Sequence, residues 1–195
     1  PGLVIIKNRD GGHWRVYHHK NTSAPETDFL VLSGTEATSD NNTAFNDTAP
    51  TSTLFSVGSM DETNKNTEGM VAYCFAEKQG FSKFGQYEGN NNADGEYVFT
   101  GFRPSLVITK AIDTTSNWLA FDSKRSPFND VDDYMKLNAT ASEDTGSSDV
   151  QMDFLSNGFK LRGNNSVVNG AETYVYLAFA ESPFVNSKGV PNNAR

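Results

Sequence analysis

Apolar residues recur at every second position in short runs along the chain, and no window of a dozen residues carries an apolar stripe of helical period. The runs "LVIIKNR", "WRVYHH", "DFLVLS", "STLFSVGS", "GMVAYCFAEK" and "GEYVFTGF" are followed by "SLVITKA", "WLAFDS", "DYMKLNA", "QMDFLSNGFKLR" and "ETYVYLAFAES". All are rich in Val, Ile, Tyr, Phe and Thr, and clusters of Gly, Asn, Asp and Ser separate them, which predicts an all-β chain of antiparallel strands. Alternation places Trp14, Val16 and His18 on one side of their strand and Arg15, Tyr17 and His19 on the other. Trp118 and Ala120 face with Asp122, so Trp14 and Trp118 are the expected core anchors. Asn157-Gly158 predicts the two-residue turn of a tight hairpin.

The second half of the list repeats the first. "PGLVIIK" at 1–7 matches "PSLVITK" at 104–110, "WRVYHHK" from Trp14 matches "WLAFDSK" from Trp118, and "VAYCFAE" at 71–77 matches "VYLAFAE" at 175–181. "FLVLSGTEA" at 29–37 pairs with "YMKLNATAS" at 134–142, and "FSVGS" at 55–59 with "LSNGF" at 155–159. Blocks in one order at nearly one offset predict an internal duplication. The expected architecture is two tandem, pseudo-symmetric antiparallel β-sandwich units of jelly-roll or concanavalin-like type, residues 1–79 and 80–195. The Gly/Asn-rich stretch from Lys78 to Pro104 opens the second unit. The run "GEYVFTGFRP" has no counterpart before Pro1, so an upstream strand, removed by cleavage or lying outside the segment, is expected to complete the first unit. The polar stretches 34–52 and 138–149 are expected as surface loops on corresponding edges.

Sixteen Lys and Arg against 24 Asp and Glu give a net charge of −8 and disfavour nucleic acid, which needs a basic face, and anionic membrane surfaces likewise. The apolar runs are too short to span a bilayer as helices. The single cysteine, Cys74, forbids an internal disulfide and a cysteine metal site, and within "MVAYCFA" it is expected to be a buried, inert thiol.

Candidate chemistry is sparse. His13, His18 and His19 have no matching histidine in the second half, no G-x-S-x-G elbow occurs, and surface histidines are the expectation. Glu77 and Glu181, each ending a repeated "FAE", suggest a two-carboxylate glycosidase, but repetition accounts for both, and glutamates at repeat ends commonly pin a turn or pair with a nearby Lys or Arg. Asn90, Asn92, Asp94 and Gly95 resemble the start of a calcium loop, yet the first ligand is Asn and the twelfth position is Gly101, so a Gly-Asn turn is favoured. The acidic run "NDVDDY" at 129–134 has no ligand spacing and is expected to be solvated. Glycosylation tripeptides at Asn21, Asn41, Asn46, Asn138 and Asn164 are what an Asn/Thr-rich chain supplies in any case. No catalytic, cofactor-binding or metal-binding residue is therefore assigned, and the chain is expected not to be an enzyme.

"GFSKFGQYEGNNNADGEYVFTGFRPSLVITK", the Trp118 strand, "LSNGFKLRGNN", "TYVYLAFAESPF" and the terminal "VPNNAR" together resemble an uncharacterised β-rich domain family. That family recurs in virion structural proteins of tailed bacteriophages, especially marine ones, often beside concanavalin-like sandwich domains. The resemblance covers nearly the whole chain and brings no catalytic residues with it. It implies a tail-fibre or surface-appendage module, assembled in the host cytoplasm and placed in the virion, that contacts host surface glycan or envelope through its long loops. Other virion proteins and further copies of itself are the implied partners. Capsid decoration or another structural role in the phage head is the nearest alternative, and a polysaccharide-degrading glycosidase a more distant one.

Overall fold

A computed structural model describes residues 1–182, and the end of the second expected unit, 183–195, lies outside the described residues. The chain is all-β with antiparallel pairing throughout. Five strands form the first sheet: β1 (Leu3–Asn8), β2 (Trp14–His18), β3 (Asp28–Val31), β4 (Ser39–Asp40) and β5 (Met70–Phe75), in the order β4-β3-β2-β1-β5. The second sheet holds β6 (Ser82–Glu88), β8 (Pro104–Ala111), β9 (Leu119–Asp122), β10 (Tyr134–Lys136) and β13 (Thr173–Ala180), in the order β10-β9-β8-β13-β6. A third, smaller sheet has the order β11-β12-β7, from β7 (Tyr97–Phe99), β11 (Met152–Leu155) and β12 (Gly158–Leu161). Two single-turn helices, α1 (Asn42–Phe45) and α2 (Asp61–Asn64), are the remaining elements among the described residues.

Strict alternation sorts the apolar residues into three layers. Leu3, Val16 and Leu30 of the first sheet meet Phe84, Trp118, Val175 and Leu177 of the second, so the two large sheets pack face to face. The even-numbered residues of β13 explain the rest: Tyr174, Tyr176 and Ala178 point the other way, onto Val98, Phe154 and Phe159 of the third sheet. On the far side of the first sheet, Val4, Ile6, Tyr17 and Phe29 are covered by Ala44 and Phe45 of α1 with Phe55, Val57 and Met60. The order is thus helix-and-loop cover, first sheet, second sheet, third sheet.

Matching sequence blocks hold matching places. β1, β2, β3 and β5 stand in the order β3-β2-β1-β5, and their counterparts β8, β9, β10 and β13 in the order β10-β9-β8-β13. The fifth block departs. Phe55–Ser59 forms no strand, contrary to the expectation for "STLFSVGS", because Phe55 and Val57 are drawn into the cover while Gly58 lies against the Thr43 carbonyl, where a Cβ would approach to 2.4 Å. Its counterpart is the β11–β12 hairpin. There Leu155 pairs with Gly158, so the turn residues are Ser156-Asn157 instead of Asn157-Gly158. Gly158 is already in the strand, and a Cβ on it would come 2.1 Å from the Val98 carbonyl oxygen. "GEYVFTGF" is a strand, β7, but it pairs with β12 in the third sheet, while β6 flanks β13.

The polar stretch 34–52 is only partly loop. It contains β4 and α1, with Asn41 capping the helix by accepting from the Thr43 N–H at 2.9 Å. Trp118 is 1% exposed and donates its indole N–H to the Val31 carbonyl of the first sheet at 2.8 Å. Trp14 is only half-buried and stacks on Tyr73 at 6.2 Å, since it lies outside the part of the inward face that the second sheet covers. His18 is wholly buried between the sheets, against the expectation of a surface histidine. Position 18 continues the inward face of β2, and the facing β13 backbone supplies an acceptor, the Tyr176 carbonyl at 3.2 Å. Cys74 also reverses its expectation: it is exposed, since β5 is an edge strand with no further strand beside it among the described residues.

Two predictions follow from these placements. Trp118→Ala should cost about 3–5 kcal/mol, as for a large core aromatic, and Trp14→Ala clearly less, read as the difference in urea denaturation. Burial pushes His18 down to about 3, against its Tyr176 hydrogen bond. Between about pH 3 and 6.5 the unfolded chain therefore holds a proton that the folded chain refuses, and stability falls as pH falls through that window. His18→Gln should flatten the fall by up to one proton's worth, roughly 1.4 kcal/mol per pH unit, seen by comparing urea midpoints at pH 7 and pH 4.

Candidate functional site

The titratable residues singled out by sequence are each committed to a structural partner. His18 accepts the Lys20 backbone N–H on Nδ1 at 3.1 Å and donates Nε2–H to Tyr176, which leaves neither nitrogen free for proton transfer. His19, half-buried, places Nε2 2.9 Å from the Phe84 carbonyl, and His13 lies exposed beside the Ser33 hydroxyl. Glu77 accepts from the Phe84 N–H at 3.0 Å and from Lys83. Burial alone would raise its carboxyl, but the Phe84 N–H and Lys83 outweigh it and hold it below the usual carboxylate range. Glu181 pairs with Arg103 at 3.1 Å. Each glutamate neutralises its own cation at the end of its own strand.

The Asn90–Asp94 segment folds on itself. The side-chain oxygens of Asn90 and Asn92 accept the backbone N–H groups of Asn92 and Asp94, and Asp94 pairs with Lys160 at 2.9 Å. A cation would have to displace an ammonium and two hydrogen bonds there. The segment is anchored by Asn169, which is wholly buried and donates to the carbonyls of Asn92 and Gly163, both at 2.8 Å. Among the described residues no group of three or more His, Cys, Asp or Glu could hold a metal ion. The run 129–134 leaves Asn129 and Asp130 exposed but is tied down at several points. Asn129 exchanges two hydrogen bonds with the Phe154 backbone, Val131 enters the core, and Asp133 accepts the Gly146 N–H at 2.9 Å. Burial first, and then the neighbouring Asp153 carboxyl, raise Asp130. Of the glycosylation tripeptides, Asn21 is buried and accepts from Thr38, whereas Asn138 accepts the Trp118 N–H.

A site that sequence reasoning missed lies where two sheet edges face one another. β6 is the free edge of the second sheet and β7 the free edge of the third. Between them runs a groove of two adjoining cavities, about 500 and 530 Å³, sharing Phe99 as a common wall. Its inner side is Tyr87, Val98 and Tyr176. Because Val98 points into the core, alternation turns Tyr97 and Phe99 outward together, 43% and 63% exposed. Gly158 lies beside them in register, and its missing side chain lets the Tyr97 ring lie across β12, where the hydroxyl donates to the Asn157 carbonyl at 3.3 Å. Polar ends of Lys83, Gln86, Glu88 and Glu96 stand along the groove. Two adjacent rings with polar groups at their rims can hold a ligand having both an apolar face and many hydroxyls. The signal was present in "EYVFT", but alternation alone does not tell which of its faces a neighbouring layer covers.

Among the described residues no helix is long and apolar enough to cross a membrane. No curated protein and no solved structure matches the chain. One family model does, over residues 1–183, and the chain belongs to that family, described as Domain of unknown function (DUF7483).

Proposed function

We propose that the chain is a non-enzymatic module of a bacteriophage virion, a tail-fibre or surface-appendage part, that contacts host surface glycan in the groove between β6 and β7. The observation that carries the glycan contact is the outward pair Tyr97 and Phe99, held over a glycine and rimmed by polar side chains. Sugar rings offer apolar C–H faces to stack on such rings and hydroxyls for the rim, and stacking of this kind survives variation in sugar identity. The virion context rests on the family resemblance of the quoted motifs. A glycosidase reading is less well supported, since Glu77 and Glu181 are each held by a cation and the Glu77 carboxyl is held below the usual range, the wrong direction for a general acid.

An ancestral β-unit copied in tandem accounts for the shared sheet order of β1, β2, β3, β5 and β8, β9, β10, β13. The large sheets descending from the two copies then form one sandwich by packing face to face, and the covers on their outer faces differ.

Two measurements test the proposal. Tyr97→Ala and Phe99→Ala, alone and together, should each lower binding to an array of bacterial surface polysaccharides about tenfold, the worth of one aromatic stacking contact, with urea midpoints little changed. Binding that survives the double substitution, or no binding by the unsubstituted chain, would remove the groove from consideration. Labelled antibody against the chain should decorate phage tails; decoration of heads favours the capsid alternative, and unlabelled particles exclude a virion role.

A further inference from the structure

The tyrosines stacked between the second and third sheets differ in what their hydroxyls do. Tyr87 donates to the Val168 carbonyl at 2.8 Å, and Tyr174 donates to the Ser166 carbonyl at 2.6 Å while accepting the Gly170 N–H at 2.8 Å. Tyr176, 3% exposed on the same face of β13, makes no side-chain hydrogen bond among the described residues. A phenol so enclosed is unfavourable without a partner. Tyr176 pairs in register with Gly85 of the edge strand β6, and a Cβ on Gly85 would come 2.5 Å from the Tyr176 hydroxyl oxygen and 2.6 Å from two of its ring carbons. The missing side chain thus lets the ring lie across β6, which carries the hydroxyl from the middle of the sheet towards its free edge. There it lines the groove cavity of about 530 Å³ that Tyr97 and Phe99 also line.

We propose that the Tyr176 hydroxyl is the floor of the glycan site, hydrogen-bonded to an inward hydroxyl of a non-acidic sugar ring whose C–H face rests on Phe99. This rests on the groove reading above and adds to it a specificity-determining contact and a charge class. A sugar hydroxyl both donates and accepts, which matches a phenol that can do either. Burial, and then the charge of Glu77, push the Tyr176 hydroxyl up to about 12, so it keeps the proton it would donate. The charges around the groove set the class of sugar. Lys83 is held by Glu77 at 3.1 Å, and the two cancel. Glu88 and Glu96 line the same cavity as Tyr176, and neither has an ion pair among the described residues; Glu88 accepts from the Thr173 hydroxyl at 3.0 Å. Lys160, opposite Tyr97 on β12, is occupied by Asp94 at 2.9 Å and the Gly95 carbonyl at 2.7 Å. A uronate or other acidic sugar would therefore meet carboxylates with no cation to offset them.

The test is an array of neutral bacterial polysaccharides and of uronate-bearing ones, the latter also in carboxyl-reduced form. The unsubstituted chain should bind the neutral and carboxyl-reduced glycans at least about tenfold tighter than the uronate-bearing parents. Tyr176→Phe, which removes one oxygen, should weaken that binding about threefold to tenfold, the worth of one hydrogen bond, and leave the urea midpoint unchanged, since the hydroxyl has no partner in the chain to lose. Undiminished binding by Tyr176→Phe, with Tyr97→Ala and Phe99→Ala still lowering it, would overturn the floor contact and leave the groove reading standing. A lowered midpoint for Tyr176→Phe would assign the hydroxyl a structural partner and overturn the contact as well. Uronate-bearing parents that bind as tightly as their reduced forms would overturn the charge class. No binding of any glycan by the unsubstituted chain would overturn the groove reading and this inference together.

Discussion

The central contact between the two five-stranded sheets is the constraint on which the other layers depend. Once Leu3, Val16 and Leu30 are buried against Phe84, Val175 and Leu177, period-two alternation leaves each sheet with a second apolar face that must also leave water. The first sheet meets this need with α1 and the 55–60 segment, the second with the β7-β11-β12 sheet. Polar groups caught in the centre are matched to carbonyls across it, since an orphaned buried donor or acceptor costs roughly 1–3 kcal/mol. Trp118 reaches Val31 and His18 reaches Tyr176, so both bonds cross from one sheet to the other and fix how the sheets sit. Lys110 is a third such tie. Wholly buried, it donates to the carbonyls of Ala111 and Thr35, and burial pushes its ammonium down to about 8 against the pull of Glu36 and Asp113.

The candidate residues are likewise tied to structural partners. A histidine has both nitrogens bonded, two glutamates each hold a cation, and asparagine oxygens accept backbone N–H groups. What remains unspent is surface: the outward rings of β7 and the bare edge of β5. Both arise because the second half of the chain adds β6 and a third sheet that the first half lacks.

Much of the fold was legible in the sequence. Alternation located nearly every strand, and the matched blocks anticipated that β1 and β8, or β5 and β13, would hold like positions. What alternation cannot supply is the layer that lies on each face, for a strand pattern reads the same whether its neighbour is protein or water. Trp14 and Trp118 look equivalent, yet only Trp118 has a facing sheet. Cys74 sits in an apolar run as convincing as that of β13, but β13 is covered by β6 and β5 is not. His18 reads as polar and therefore external until the Tyr176 carbonyl is seen opposite it. Tyr97 and Phe99 were inside a recognised strand, and their exposure depended on Val98 taking the core side.

This bears on where recognition is to be sought. Long polar loops are the usual place, because they vary without disturbing a scaffold. Here the longest, 34–52, is partly spent on structure: Ala44 and Phe45 are buried beneath it, and Asn46 sits at the helix C-cap with φ 57°, so much of it cannot be remodelled freely. The groove between β6 and β7 has the opposite character. Its walls belong to two hydrogen-bonded sheets, and its width follows from the thickness of the Tyr87, Phe159 and Tyr176 layer between them. A ligand entering it need not order a loop, which removes a cost of roughly 0.5–1.5 kcal/mol for each side chain that would otherwise have to be immobilised. On the glycan reading proposed above, rigid rings on a sheet edge would hold a weak ligand with few contacts, provided the contacts are repeated over many copies.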